Sequence, residues 1–217
     1  MTGYGDRSTS RRCSKIEAQA TTDTQRAYPA IVAKAANADY QINAISSRGL
    51  IRNYDGTLPD QAISDIYQRI FFEGIENYDF VGWQPQIIVI KLNADFFPPP
   101  HKGERWENFD ELAEAYVKRF ASFVAELGKR TPSTTVLIWW PDPALIPDKA
   151  LSKMASDGRE EITRAAASAG IHHLEFIVPP DLPFESTGCD YHYNLGDHRK
   201  LAEWLSAYLR GRVRTDA

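Results

Sequence analysis

The sequence has 217 residues, of which 43% are hydrophobic and 25% charged; this is typical of a globular protein with one domain and a sizeable core. Its net charge of -4 excludes the strongly basic surface expected of a protein that binds nucleic acid or an anionic membrane. Its longest apolar run, residues 87–92, is interrupted by Lys91 and is too short to span a bilayer. We therefore predict no nucleic-acid partner and no membrane partner.

The first quarter of the chain predicts one helix and one strand. Residues 1–24 are rich in Ser, Thr, Arg and Gly without sustained periodicity, which indicates a loop. Apolar residues on one face predict a helix over residues 24–36, and alternation predicts a strand over residues 39–46 that ends at Ser47-Arg48-Gly49. A second helix is predicted over residues 60–73.

The rest of the chain alternates strands with helices. The run 86–92 is nearly continuous in apolar residues, as a central parallel strand is. The helix over residues 109–127 has the strongest amphipathic pattern. The remaining predicted elements are a strand at 134–140, a helix at 148–169, a strand at 174–178 and a helix at 197–210.

This order predicts an α/β fold, a three-layer α/β/α arrangement with a parallel sheet. No repeat, low-complexity tract or linker interrupts it, so we expect residues 1–217 to form a single domain. Ligands of such sheets bind in loops at the carboxyl edge of the strands. The polar residues after the predicted strands converge on that edge, which is the main argument for a site there.

The loop Gly188-Cys189-Asp190-Tyr191-His192 carries the most informative residues. An imidazole at His192 can accept a proton from a hydroxyl and return it to a leaving group. Asp190 would hold the ring tautomer, or would instead bind backbone amides of the loop. Of the other histidines, His198 is expected to pack in the first turn of the last helix, and His172 and His173 to be structural.

Two further segments lie at the same predicted edge. Gly49 is expected to be a turn glycine with positive φ, the donor of a backbone amide to an oxyanion hole, or both at once. The polar run that begins with Arg52 and Asn53 is an ordinary turn or the wall of a polar pocket. Asn93 is a candidate second oxyanion donor, and Asp95 a loop-fixing cap or a pocket residue.

The aromatic and sulfur-containing residues leave alternatives open. Trp106 is a candidate stacking face for a sugar ring in the substrate pocket, whereas core packing is the better interpretation of Trp139 and Trp140. Cys13 and Cys189 are two buried thiols or one disulfide. Their spacing does not form a metal-ligand pattern, so we predict no metal and no cofactor.

Several short motifs, in this order, resemble the SGNH (GDSL-type) hydrolases and most closely the catalytic domain of carbohydrate esterase family two. They are Gly3-Tyr4-Gly5, Ser10-Arg-Arg-Cys13, Thr21-Thr-Asp-Thr-Gln25, Ser47-Arg48-Gly49 with Arg52-Asn-Tyr-Asp-Gly56, Gly103-Glu-Arg-Trp106 and Gly188-Cys-Asp-Tyr-His192. The resemblance covers nearly the whole chain.

The resemblance implies an acetyl-xylan or acetyl esterase that acts through a serine ester on a small-molecule or polysaccharide acyl ester. It matches His192 to the catalytic base, Asp190 to its acidic neighbour and Gly49 to the oxyanion-hole glycine. It also implies a secreted or periplasmic protein, although this sequence shows no signal peptide.

Two departures from the family pattern predict an inactive chain. The family's Gly-Asp-Ser motif and first strand precede Gly3-Tyr4-Gly5, and the sequence contains neither. We therefore expect an N-terminally truncated chain, in which the strand at 39–46 has lost its partner strand. Either Met1 is an internal methionine taken as the start, or the gene itself is truncated. The family's Gly-Thr-Asn-Asp-Phe corresponds to Leu92-Asn93-Ala94-Asp95-Phe96, which puts Ala94 where the oxyanion Asn belongs. The alternative function is a non-catalytic carbohydrate-binding or structural remnant of the family.

Overall fold

The computed structural model describes residues 3–54, 56–71, 74–79, 81–92 and 100–210. The chain divides into two compact units. The first comprises Met1–Ser46 and Pro179–Ala217, and the second comprises Ser47–Val178. Each unit is described separately below.

A three-stranded parallel sheet forms the framework of the second unit. Its strands are β1 (Ile87–Ile90), β2 (Thr135–Trp139) and β3 (Leu174–Ile177), in the order β1-β2-β3. The register places Ile90 opposite Ile138. Because all three strands are parallel, their carboxyl ends lie at one edge of the sheet, and the α/β fold class predicted from the sequence is confirmed.

Two long helices pack against each other in the second unit: α4 (Phe109–Arg130) and α5 (Lys149–Ser168). Each begins at a residue whose carboxamide or carboxylate accepts a backbone amide of the first turn, Asn108 for α4 and Asp148 for α5. Acidic residues in the first turn of α4 and basic residues in its last turn complement the helix dipole.

Trp140, directly after β2, is central to the core of this unit and is 1% exposed. Its indole Nε1 donates to the backbone carbonyl of Ala155 in α5 at 2.9 Å, which satisfies the polar atom that burial would otherwise leave unpaired. Burial of each large apolar side chain around it stabilises the fold by about 1.5–3 kcal/mol. The rings of Tyr116 and Phe120 pack against Trp140, and the same buried core also contains Leu112, Val124, Ile138 and Ile162.

The first unit is helical. It contains α1 (Lys15–Thr21), α2 (Tyr28–Ala35) and α6 (Leu195–Leu209), and α2 packs against α6. The remaining helix, the four-residue α3 (Ile63–Ile66), lies in the second unit. None of the described helices is long and apolar enough to cross a membrane.

The strand predicted over residues 39–46 is wrong. This segment keeps the alternating exposure that suggested a strand, with Asp39, Gln41, Asn43 and Ile45 exposed and their neighbours partly buried, but it pairs with none of the described strands. An extended segment becomes part of a sheet only when its backbone groups find a partner strand. Alternation of polar and apolar residues indicates which side chains of the segment are exposed, but it does not indicate whether a partner strand is present.

One loop prediction and one helix prediction also need correction. Residues 1–24 are not all loop, because α1 begins after Ser14, whose hydroxyl accepts the amide of Glu17 while the Glu17 carboxylate accepts the amide of Ser14. The helix predicted over 60–73 shortens to α3, since an antiparallel bridge between Arg69 and Asn77 turns the chain back. Residues 72 and 73 lie outside the described residues.

The turned segment exposes apolar side chains. Ile75 is 94% exposed and Phe71 is 68% exposed. The amide of Ile70 donates to the carbonyl of Glu76 at 2.9 Å, which closes the turn. Of the apolar residues whose phase predicts this helix, Ile63 and Ile66 are buried within α3, whereas Ile70 is 50% exposed and lies beyond it. The in-phase pattern is therefore correct for α3 and does not continue through the turn.

The other predicted elements are confirmed to within three residues at each end. The helix at 24–36 corresponds to a 3-10 turn followed by α2, and the strands at 86–92, 134–140 and 174–178 correspond to β1, β2 and β3. The helices at 109–127, 148–169 and 197–210 correspond to α4, α5 and α6.

Candidate active site

His192 lies at the end of a loop that leads into α6, which we call the His192 loop (residues 185–194). A short 3-10 turn, Cys189–Tyr191, precedes the histidine, and the His192 amide donates to the Cys189 carbonyl at 3.0 Å. Its own carbonyl accepts the amide of Gly188 at 3.0 Å. The imidazole is partly buried, so it is held in place while it remains accessible.

Tyr4 joins the N-terminal segment to this histidine. Its ring centroid lies 4.9 Å from that of His192, and its hydroxyl donates to Asp190 Oδ2 at 3.2 Å. Among the described residues no hydrogen bond joins the Asp190 carboxylate to the His192 ring. Asp190 therefore acts on the imidazole through its charge, and Tyr4 is the residue that contacts both.

Burial lowers the pKa of the His192 imidazole below its ordinary value, while the negative charge of Asp190 opposes that shift. Lowering the pKa keeps the ring neutral near pH 7. A neutral imidazole is the form that accepts a proton, as a general base must.

Cys13 and Cys189 form a disulfide, with their Cα atoms 5.5 Å apart. This decides between the two alternatives that the sequence left open. The bond anchors the first residue of the turn before His192 to the N-terminal segment. Gly5 lies against it, since a Cβ on Gly5 would be 2.3 Å from Cys189 Cβ, and the Gly5 carbonyl accepts the Cys189 amide at 3.2 Å. Only glycine fits at this position.

Asp6, next to this glycine, is 1% exposed. Neither of its carboxylate oxygens makes a hydrogen bond of ordinary geometry with the described residues. Burial, followed by the nearby charge of Asp23, raises the pKa of Asp6 to about 6. The turn that holds Tyr4 and Gly5 therefore contains an acid that is partly protonated in mildly acidic solution.

His198 has a structural role, as expected. It is 1% exposed, and its Nδ1 accepts the amide of Tyr28 at 3.3 Å, so it satisfies a backbone donor at the start of α2. Asp197 beside it is fully buried and accepts the amides of Glu185 and Ser186, which fixes the beginning of the His192 loop to α6.

In the second unit, the described residues 47–54 and 56–58 belong to a compact turn. The amide of Tyr54 donates to the carbonyl of Ser47 at 3.0 Å, and Arg48 and Asn53 form an antiparallel bridge. Gly49 is buried, and its carbonyl accepts the amide of Ile63 at 2.8 Å. The prediction of a positive φ at Gly49 is wrong: among the described residues of this turn, positive φ occurs at Ser47 (64°), Gly56 (70°) and Leu58 (50°).

Arg52 forms a buried ion pair with Glu104, at 2.8 Å between Nη1 and Oε2, with both side chains at most 9% exposed. The same Glu104 oxygen accepts the amide of His101 at 2.7 Å. A buried charge pair is tolerated only with such additional hydrogen bonds. Glu104 is a residue that the sequence reasoning missed; its place in the Gly103-Glu-Arg-Trp106 motif was the available signal.

Asn53 is 1% exposed, and its amide nitrogen donates to the carbonyls of Thr57 and Leu58 at 2.7 and 2.8 Å. Its donors therefore hold the turn. Trp106 is partly buried, with the Arg105 guanidinium 4.6 Å from its ring centroid. The substrate-pocket roles assigned to Arg52, Asn53 and Trp106 stay predictions.

Asn93 and Asp95 lie outside the described residues, and their predicted roles stay predictions. The structure thus brings His192, Asp190 and Tyr4 together in the first unit. Among the described residues, no group of three or more His, Cys, Asp and Glu side chains could hold a metal ion.

The fold is of the SGNH type, an α/β arrangement around a parallel sheet, and comparison with known proteins agrees. The chain is 32% identical over 212 residues to an acetylxylan esterase / glucomannan deacetylase of Cellvibrio japonicus (strain Ueda107); the match covers 96% of this chain and 56% of that protein. The chain thus spans just over half the length of this curated relative. No protein-family profile matches.

Two solved structures show the same relationship. One is a carbohydrate esterase whose active site displays divergent catalytic and non-catalytic binding functions, with a TM-score of 0.84 and 30% identity over 99% of this chain and 62% of the other. The second is a family two carbohydrate esterase plus carbohydrate binding domain of Corynascus thermopiles (Myceliophthora fergusii), with a TM-score of 0.72 and 25% identity over 96% of this chain and 62% of that one. The resemblance to carbohydrate esterase family two is therefore confirmed over nearly the whole of this chain.

Replacing both cysteines, Cys13→Ser with Cys189→Ser, is expected to lower the free energy of unfolding by about 3–5 kcal/mol, because the bond closes a loop of well over 100 residues. Urea unfolding of the oxidised protein and of the double variant measures the difference. Reduced unmodified protein is the matched control and should unfold at the urea concentration of the variant. Equal midpoints for oxidised and reduced protein would contradict a stabilising bond.

Replacing Asp190→Asn is expected to lower the pKa of His192 further, because it removes the charge that favours the imidazolium. NMR titration of the histidine Cε1–H signals measures this, with Asp39→Asn as a control at an exposed position of the same unit. Because the folded pKa of His192 already lies below that of the unfolded chain, the contribution of His192 to stability should be lost as the pH falls through about 6.5, and more of it in Asp190→Asn. An unchanged His192 pKa in Asp190→Asn would show that the carboxylate does not act on the ring.

Proposed function

We propose that this chain is an SGNH-type carboxylic ester hydrolase domain built to remove acetyl groups from carbohydrate through a serine ester. The observation that carries the proposal is the arrangement around His192. A partly buried imidazole lies beside the Asp190 carboxylate, and the ring of Tyr4 from Gly3-Tyr4-Gly5 packs against it. In the family pattern, that tripeptide follows the nucleophilic serine, so such a serine would lie close to this base.

His192 is the proposed general base. It would take the proton of the attacking hydroxyl and later return it to the sugar oxygen that leaves. Its lowered pKa favours the neutral, proton-accepting form. Asp190 would stabilise the imidazolium once it forms, and the Tyr4 hydroxyl would hold that carboxylate next to the ring.

The amide of Gly49, with Asn93 as a second donor, is proposed to stabilise the tetrahedral oxyanion; one such donor contributes about 3 kcal/mol to lowering the barrier. Arg52, Asn53, Asp95 and Trp106 are the proposed wall of the substrate pocket. The buried Arg52–Glu104 pair supports this, because it ties Arg52 to the Gly103-Glu-Arg-Trp106 motif that contains Trp106.

The substrate is proposed from the relatives. The curated relative carries the name acetylxylan esterase / glucomannan deacetylase, which favours an acetylated polysaccharide or a smaller acetylated sugar. The sequence contains no Gly-Asp-Ser. Loss of a serine nucleophile removes about six orders of magnitude in turnover, so the 217-residue chain by itself is expected to be inactive.

Fusing an upstream segment with a Gly-Asp-Ser motif, taken from the 30% identical carbohydrate esterase, ahead of Gly3 is expected to create esterase activity. The reason is that the base and its acidic neighbour are already in place. Hydrolysis of p-nitrophenyl acetate and release of acetate from acetylated xylan measure the result, and the 217-residue chain should stay at the background rate.

Two matched variants make that experiment decisive. The fusion with the serine changed to alanine, and the fusion with His192→Ala, should both return to background, whereas His172→Ala should leave activity unchanged. An active fusion that keeps its rate in His192→Ala would remove His192 from the mechanism. Turnover by the 217-residue chain that His192→Ala abolishes would show that the upstream serine is not needed.

A second candidate function is carbohydrate binding without catalysis. It is favoured by the 30% identical esterase, whose active site displays divergent catalytic and non-catalytic binding functions, and by Ala94 at the position where the family has its oxyanion Asn. This function needs no nucleophile, because the pocket would serve only to hold the sugar.

Isothermal titration of the 217-residue chain with plain and with acetylated xylo-oligosaccharides distinguishes the two functions. Binding of both ligands, together with a fusion that does not hydrolyse, is expected for a binding module. Trp106→Ala should weaken such binding, since stacking on a sugar would be lost, while Trp204→Ala on α6 in the other unit is the control. Absence of binding by the folded chain would exclude the second function.

A further inference from the structure

The His192 loop contains an unusual concentration of left-handed backbone. Ser186 has φ 48°, Asp190 has φ 51° and Tyr191 has φ 61°. None of the three is glycine, and the last two are consecutive and lie directly before His192. Such residues are unfavourable in this region because of their Cβ atoms, and they persist only where neighbouring groups hold them.

Arg11 contacts all three of these residues. Its guanidinium Nε donates to the carbonyl of Ser186 at 3.0 Å, and its backbone carbonyl accepts the amide of Asp190 at 2.8 Å. The guanidinium also lies 5.1 Å from the ring centroid of Tyr191. One residue therefore contacts every left-handed position of the loop.

Arg11 makes a fourth contact with the same loop. Arg11 Nη2 donates to the carbonyl of Glu185 at 2.8 Å, so the guanidinium binds two successive carbonyls as a fork. Asp197 binds the amides of the same two residues. The beginning of the loop is thus held from both sides, by a cation on its carbonyls and by an anion on its amides.

We propose that Arg11 is the positioning residue that holds the His192 loop in the conformation presenting the imidazole. This deepens the proposed function, since it rests on His192 as the base. The disulfide fixes the loop at Cys189 alone, whereas Arg11 fixes it on both sides of that point, at residues 185–186 and at residues 190–191.

The proposal depends on properties that belong to arginine. A planar guanidinium can donate to two carbonyls from its edge while its face covers an aromatic ring, and a lysine ammonium cannot do both. Arg12, the next residue, provides a contrast within the same segment. Its side chain is exposed and makes no hydrogen bond, ion pair or ring contact with the residues that the structure describes.

The test compares Arg11→Lys and Arg11→Ala with Arg12→Ala in the oxidised 217-residue chain. The readout is the pKa of His192 from NMR titration, with its signal assigned by its absence in His192→Asn. Both Arg11 variants are expected to raise the His192 pKa toward about 6.5, the ordinary value, because a released loop exposes the ring to water. Arg12→Ala should leave it unchanged.

His198 separates positioning from general unfolding. It is buried against Tyr28, and Arg11 makes no contact with it. A raised His192 pKa with a native His198 signal in Arg11→Lys supports the proposal. An unchanged His192 pKa overturns the proposal. Loss of the native His198 signal together with the native His192 signal overturns it as well, because Arg11 would then contribute to the stability of the whole fold and not to the position of this loop. None of these results depends on ester hydrolysis, so failure of the proposed enzymatic function would be seen separately.

Discussion

The covalent bond between Cys13 and Cys189 is the constraint on which the first unit depends. It connects residues 176 positions apart and brings the N-terminal segment against the loop that carries His192. The other contacts follow from this closeness: Gly5 has no side chain because Cys189 occupies the space, Tyr4 reaches both His192 and Asp190, and the Arg11 carbonyl meets the Asp190 amide. The candidate base is thus positioned chiefly by residues distant from it in sequence.

In the second unit, an irregular segment is held by an ion pair and hydrogen bonds and not by a disulfide. The segment after Ser47 has little regular structure, and its conformation is held by the buried Arg52–Glu104 pair and by the two hydrogen bonds of Asn53. Removing one member of such a pair leaves an uncompensated buried charge, which is far more costly than removing both. The polar character of this segment is therefore required for its shape, whether or not it also contacts a ligand.

The strands and long helices of the second unit could be predicted because each is decided locally. The apolar run of β1 and the periodicity of α4 are properties of a few consecutive residues. The strand at 39–46 failed because pairing depends on a partner elsewhere, and the helix at 60–73 ended early because a bridge between Arg69 and Asn77, which the apolar pattern does not report, turns the chain back. In the candidate site, spacing and motif singled out His192 and Asp190, whose catalytic roles stay predictions. Tyr4 as their shared contact, Glu104 as the partner of Arg52 and the pairing of the cysteines required three-dimensional proximity, which spacing alone does not report.

The position of the disulfide in the sequence has a consequence for how the chain responds to a protease. The two cysteines bracket the whole of Ser47–Val178, including the exposed turn around Ile75. A single cut in that turn would leave two pieces still joined through sulfur, and they would separate only after reduction. The nicked polypeptide would therefore keep its two parts at high effective concentration and could reassemble as one molecule.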